Sequence, residues 1–354
     1  MKVCLIGARN DFSNATGNGV SRYMYELAKN LRKIRAKDFN LRVHGYPPYP
    51  FIGSGLTPFV HSISDDYSRY DIVHSLDVRP MMRIRHGKAI FVNTVHDFHS
   101  IIDPGLFPED YSSVGRLLGL HLVLLPGMKT ALKSDYLVVN STQTRDEAVK
   151  LGFERRKIFV TNLGLDRRFF SKLNPDKRNS KFTVGYIGGM SWAKNVAFAI
   201  NAFKKSPGKA MRFEIWGNPD RQYECLKRLS SDDNRIRFMG FAPENRIVSI
   251  YDSFSVFVHP TLHEGFGLPI IEAQSRGLPV IIYKKAKIPE EVRRYCLEAK
   301  DEEDMAGIIT RIRENGYENK ERRKTMAYAR QFSWKRMARE TFAAYRKMIE
   351  ERDI

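Results

Sequence analysis

Cysteine is scarce in this chain of 354 residues. Cys4, Cys225 and Cys296 are odd in number and far apart, which excludes a disulfide framework and a cysteine-rich metal cluster. Long apolar runs are scarce too. The most apolar stretch, Leu117 to Pro126, is half of the roughly 20 residues a bilayer span needs. It reads as a buried helix, with a membrane-docking surface as the alternative. Val3 to Gly7 is too short for a signal-peptide core, and no small-residue cleavage site follows, so a cytoplasmic location is expected. Acidic residues are outnumbered: 59 Lys and Arg against 40 Asp and Glu give a formal charge of +19. The excess is spread along the chain, and no recognition-helix pattern, RNA-binding aromatic motif or zinc spacing accompanies it, so no specific nucleic-acid partner is expected. A solvated basic surface is the first reading. Peripheral contact with an anionic membrane surface at the inner face, or with a phosphorylated acceptor, is the second.

What is present suggests two α/β domains. The length exceeds one typical core, and 42% hydrophobic content suits a soluble protein. Strand-like and helix-like segments alternate, which points to parallel sheets. Val3 to Gly7 leads through Gly17-Asn18-Gly19 into a helix whose Tyr23, Met24, Leu27 and Leu31 share a face. Ala89 to Val95 ends in His96-Asp97, at the carboxyl edge where open α/β sheets bind ligands. The charged segment Arg167 to Ser180 reads as a linker. Phe182 to Gly188 starts a second alternation, with helices expected at Asn195 to Lys205, Pro219 to Leu229 and Pro243 to Ser253. A last amphipathic helix carries Trp334, Met337, Thr341, Phe342, Tyr345 and Met348 on one stripe.

The most informative stretch runs from His259 to Val280. Phe254 to Val258 reads as a buried strand, and Glu264-Gly265-Phe266-Gly267 cannot extend it, because two glycines around one aromatic favour a loop that meets a ligand with its backbone. A helix is expected from near Pro269 to Gly277, and its first amides form an anion site. Glu264 and Glu272 lie beside that site, where two acids would repel a bare phosphate. They suit a diphosphate flanked by hydroxyls, which is the pattern of a nucleotide sugar.

Glu264-Gly-Phe-Gly-Leu-Pro-Ile-Ile-Glu272-Ala, preceded by His259-Pro260 and followed by Gly277-Leu-Pro-Val280, resembles the signature of the retaining glycosyltransferases of family four. The resemblance implies a GT-B fold: two Rossmann-like domains facing across a cleft, with the C-terminal helix crossing back to the first. On that pattern residues 1–168, with about 334–354, form the acceptor domain, and residues 180–332 the nucleotide-sugar domain. It also implies roles. Glu264 holds the hydroxyls of the donor sugar, the backbone of Gly265, Phe266, Gly267 and Leu268 meets sugar and phosphate, and Glu272 holds the ribose. Gly19 approaches the ligands from the first domain, His96 faces the reacting sugar, and the backbone near Phe241 meets the base.

The other side of the diphosphate falls to Gly188-Gly189-Met-Ser-Trp-Ala-Lys194-Asn195. Lys194 would neutralise it, but Gly189 stands where the family usually has Arg. No Asp-x-Asp occurs, so the metal signature of the other major glycosyltransferase fold is absent and no metal or cofactor is expected. The resemblance implies a hexosyl transfer to an acceptor hydroxyl with retention at the anomeric carbon, with Glu264, Lys194 and His96 as catalytic candidates; the acceptor, a glycan, a lipid or another hydroxyl compound, stays open. A nucleotide-sugar epimerase or phosphorylase, and a non-catalytic nucleotide-sugar-binding scaffold, stay open at this level.

Overall fold

The computed structural model describes residues 1–8, 12, 19–46, 67–78, 88–103, 121, 124–172, 181–208, 210–220 and 222–352. Gly17, Asn18 and most of the apolar stretch Leu117 to Pro126 lie outside them. The chain divides into two compact units. The first holds the described residues up to Gly164 and those from Phe332 onward, and the second is Leu165–Gln331.

In the first unit, β1 (Lys2–Ala8) leads to helix α1 (Gly19–Leu31), whose Tyr23, Met24, Leu27 and Leu31 are buried on the expected face. Then come β2 (Asn40–Tyr46), β3 (Ile72–Ser75), β4 (Ile90–Val95), α2 (His99–Ile102), α3 (Leu125–Ala131), β5 (Tyr136–Val139), α4 (Thr142–Lys150) and β6 (Ile158–Val160). The strands form one parallel sheet in the order β2-β1-β3-β4-β5-β6. Every residue of β3, β4 and β5 is buried, as a sheet covered on both faces requires. Helix α4 starts where Ser141 Oγ accepts the Thr144 N–H at 3.1 Å.

The second unit repeats the plan. Its elements are β7 (Phe182–Ile187), α5 (Val196–Lys205), β8 (Met211–Trp216), α6 (Tyr223–Leu229), β9 (Ile236–Gly240), α7 (Ile247–Ser253), β10 (Val256–His259), α8 (Leu268–Ser275), β11 (Val280–Tyr283), α9 (Glu290–Arg293), β12 (Leu297–Ala299), α10 (Glu302–Asn315) and α11 (Asn319–Ala329). Its parallel sheet runs β12-β11-β10-β7-β8-β9. The first strand of the unit, β7, therefore has β8 on one side and β10 on the other. Connections leave these two flanks in opposite directions, which opens a crevice at the carboxyl ends of β7 and β10. Gly185 lets these strands close, since a Cβ there would lie 2.2 Å from the Phe254 ring.

Several boundaries differ from the sequence expectation. Helices α6 and α7 each start four residues after Pro219 and Pro243, because turns closed by Tyr223 N–H to Asp220 O and Arg246 N–H to Pro243 O come first. Asn195 does not begin α5. It takes a left-handed conformation with φ 50°, and Lys194 sits before it in the 3₁₀ turn Trp192–Lys194. The boundary expected at residue 168 falls inside the 3₁₀ turn Arg167–Phe170, which the second unit holds. Arg276, 2% exposed, donates to the carbonyls of Phe169 and Ser171 while paired with Asp252.

The last helix, α12 (Trp334–Arg352), belongs to the first unit. Its Phe342 meets Phe39 edge to face, its Tyr345 hydroxyl reaches His74 at 2.6 Å, and its Glu351 accepts from Tyr136 at 2.8 Å. None of the helices in the described residues is long and apolar enough to cross a membrane.

Candidate active site

The loops leaving β7 and β10 meet at the crevice of the second sheet. Residues 260–264 are tied to both neighbours by backbone bonds: Leu262 N–H donates to Ala193 O at 2.8 Å, Lys287 N–H to Leu262 O at 2.9 Å, and Glu264 N–H to Lys287 O at 2.9 Å. Thr261 Oγ1 donates to His263 O, and the Asn195 amide to Pro260 O. The left-handed Asn195 thus turns the β7 loop so that its side chain clasps the β10 loop. These bonds define the loop backbone before any side chain acts.

Glu264 is the centre of this arrangement. Lys194 Nζ lies 2.5 Å from its Oε1, and His259 Nε2 lies 2.8 Å from the same oxygen. Burial alone would raise the carboxyl, but the ammonium of Lys194 and the His259 hydrogen bond outweigh it and hold Glu264 well below the usual carboxylate range. The group is a fixed anion. Lys194, expected from the sequence to face a diphosphate, is thereby placed beside the carboxylate expected to face the sugar.

Beyond Glu264 the motif turns into helix. Phe266 is 3% exposed and anchors the loop, while Gly267, at φ +95°, makes the left-handed turn before Leu268 begins α8. A proline in the first turn and Gly277 at φ +66° bound the helix as the spacing predicts. Glu272, placed by the sequence in the first helical turn, lies in the second. It is 5% exposed and accepts from the Tyr251 hydroxyl at 2.9 Å, so it is not a simple partner of the helix dipole.

The β7 loop is held differently. Gly188 N–H donates to Trp216 O, and a Cβ on Gly217 would meet Gly188 O at 2.0 Å. The Tyr186 hydroxyl donates to Gly189 O at 2.5 Å. A Cβ at Gly189 would meet nothing within 4 Å, so space for a side chain exists where the family usually carries Arg. Phe241 follows the left-handed Gly240 at the end of β9 and is 57% exposed.

The first unit carries the remaining candidates. His96 follows β4, donates from Nε2 to Leu76 O at 3.2 Å and packs edge-on against Tyr23. Its carbonyl accepts the Asn140 side chain at 3.0 Å. Gly19 is the first residue of α1 and is exposed.

Two residues carry no assignment from the sequence and yet shape the site. His259, 2% exposed at the side chain, bonds Glu264, and Arg276 anchors the end of α8. Both stand inside the motif, but their spacing does not indicate a partner. Only the adjacency of β10 and β7 brings His259 beneath the Lys194 loop.

Comparison with known proteins bears on the family and the fold. Residues 181–315 match the family described as "Glycosyl transferases group 1". The chain is 30% identical over 300 residues to the O-antigen chain mannosyltransferase B of Escherichia coli, covering 79% of this chain and 75% of that protein. It is 24% identical over 313 residues to a D-inositol 3-phosphate glycosyltransferase of Acidothermus cellulolyticus, covering 80% and 68%. The fold matches that of Anabaena HepE solved with UDP and glucose, with a TM-score of 0.72 at 17% identity over 98% of this chain and all of that one. It also matches sucrose-phosphate synthase from Thermosynechococcus elongatus, with a TM-score of 0.76 at 18% identity over 99% of each chain. The two parallel six-stranded sheets are those of the GT-B fold, and the chain belongs to the group 1 glycosyltransferases.

Proposed function

We propose that this glycosyltransferase moves a hexosyl group from a nucleoside diphosphate sugar to a hydroxyl of a glycan or lipid, with retention and without a metal ion. The observation that carries the reading is the Glu264 carboxylate, held ionised beside Lys194 at the switch point of the second sheet. Lys194 exchanges Glu264 for the diphosphate of the donor, and Glu264 then accepts hydrogen bonds from sugar hydroxyls while its charge supports the electron-poor anomeric carbon. The C1–O bond to phosphate breaks. Lys194 and the amides at Gly267 and Leu268 stabilise the charge on the departing diphosphate, while Glu272 takes the ribose hydroxyls and the backbone near Phe241 the base. The acceptor oxygen bonds to C1 on the face the diphosphate leaves, and its proton passes to a phosphate oxygen. His96 and Gly19 are assigned to sugar and acceptor contact.

The name of the E. coli relative puts mannose first among donor sugars, and the HepE structure, which was also solved with UDP-glucose, puts that donor second. The basic surface suits an acceptor presented at an anionic membrane face in the cytoplasm. Nucleoside diphosphate release from UDP-, GDP- and ADP-sugars, with and without a cell lipid and glycan extract, tests the reading. One donor should release diphosphate faster with extract, in EDTA as well, and not in Glu264→Ala. Release dependent on added metal, or equal in Glu264→Ala, would overturn it.

A further inference from the structure

Lys194 and His259, both within hydrogen-bond distance of Glu264 Oε1, differ in kind. Lys194 is 28% exposed at the end of a flexible four-carbon stem, whereas His259 is 2% exposed at the carboxyl end of β10. The imidazole is stacked on two rings, Tyr186 with centroids 6.4 Å apart and Phe257 at 6.0 Å, with interplanar angles of 18° and 19°. It cannot follow a ligand. A carboxylate only accepts, so the Nε2–H donates to Oε1, and the inward Nδ1 has no hydrogen-bond partner among the described residues. A buried nitrogen left without a partner is costly, so the position is not one that packing alone would select for an imidazole.

We propose that His259 is the positioning residue of Glu264. It holds the carboxylate in one orientation while Lys194 leaves it for the diphosphate of the donor. Lys194 is the exchangeable partner and His259 the permanent one. The inference rests on the glycosyl-transfer reading above. Tyr186 gives the same stack a second arm: its buried hydroxyl, kept protonated by burial and by the nearby charge of Glu264, pins Gly189 O in the facing loop. One set of rings therefore supports both loops.

Glutamine and phenylalanine separate the hydrogen bond from the ring. A glutamine amide reaches the place of Nε2, an asparagine amide only that of Nδ1, and phenylalanine keeps the stack without a donor. In full-length protein, His259→Phe and His259→Asn should lower kcat about 100-fold, the scale of a catalytic group misplaced by an ångström, with donor KM changed less than about threefold. His259→Gln should recover at least a tenth of the wild-type kcat. Circular dichroism and retained donor binding show that each variant is folded. Phenylalanine matching or exceeding glutamine would mean that ring packing is the whole role and would overturn the proposal, as would wild-type kcat in all three. If instead Glu264→Ala keeps full activity, the transfer reading of the site fails, and that result is distinct from a failure at His259 alone.

Discussion

The two units carry polar clusters near the carboxyl halves of the same kind of parallel sheet, and they keep them in opposite states. In the second, Glu264, Lys194 and His259 form a partly exposed charged group. In the first, Tyr23, Thr94, His74 and Tyr345 form a neutral chain with each side chain no more than 1% exposed. Tyr23 Oη and His74 Nε2 each lie 2.8 Å from Thr94 Oγ1, and His74 Nδ1 lies 2.6 Å from the Tyr345 hydroxyl. The chain joins α1, β3, β4 and α12, so it works as a structural bond between layers. The charged cluster is partly open to solvent at the carboxyl ends of β7 and β10, where on the proposed reading a charge on the donor replaces one on the protein. The neutral cluster has no such outlet, and burial, helped by His96, pushes the His74 imidazole down to about 3. Charge is kept where chemistry would use it and excluded where only packing is required.

Removing the centre of the charged cluster should have the largest effect. Glu264→Ala should lower turnover by about 10³-fold or more, on the scale of losing a preorganised charge in a water-poor site, with the circular dichroism spectrum unchanged. Retained turnover would break the contrast, because the cluster would then be structural as well. Lys194→Ala should lose about 10²-fold in turnover together with affinity for the free nucleoside diphosphate, read by calorimetry. A turnover loss with diphosphate affinity intact would confine Lys194 to Glu264.

Acid separates the units next. His74 carries a proton in the unfolded chain below pH 6.5 and stays neutral in the folded one until about pH 3. Between those values the unfolded state binds more protons, so folding loses about 1.4 kcal/mol per pH unit as pH falls. Glu264 behaves otherwise. Its folded value is depressed, so its contribution is constant above its ordinary value of 4.5 and is lost only as pH falls further. From pH 7 to pH 5, hydrogen-exchange protection factors, which are corrected for the intrinsic slowing of exchange in acid, should therefore fall in β3, β4 and α12 and not in β7 and β10, and His74→Gln should flatten that dependence. An equal loss of protection in both sheets would remove the distinction. The smallest effect is expected at Gly189. Its open surroundings admit Gly189→Arg, which should lower donor KM about threefold, the worth of one exposed ion pair; a raised KM would show that the loop geometry, rather than the missing charge, governs that position.

Much of the fold was legible because it is written in neighbouring residues. The strand runs, Gly277 as a helix stop and the proline that opens α8 are local signals, and the structure shows each where expected. The misses are local signals with two readings. Pro219 and Pro243 suit a first helical turn and equally the turn before it, and the hydrogen bonds of Asp220 and Pro243 decided for the latter. Asn195 reads as a helix start by propensity, but its αL conformation and its bond to Pro260 O come from the facing loop. Within the candidate site, the motif singled out Glu264, Glu272 and Lys194 as chemistry-bearing. It said nothing of His259, because a histidine at a strand end has no characteristic spacing to an acid five residues on.

By itself the sequence determined two alternations of strand and helix, one Gly-rich loop between two acids, and a cation near the start of the second alternation, since backbone preference and side-chain periodicity act over a few residues. Tertiary structure alone decided which charges meet. Glu264 and Lys194 stand 70 positions apart, His74 and Tyr345 271 apart, and their partners follow from strand order and from the return of α12. Those long-range neighbours also decide whether a buried group keeps its charge, as Glu264 does beside Lys194, or gives it up, as His74 does among hydroxyls.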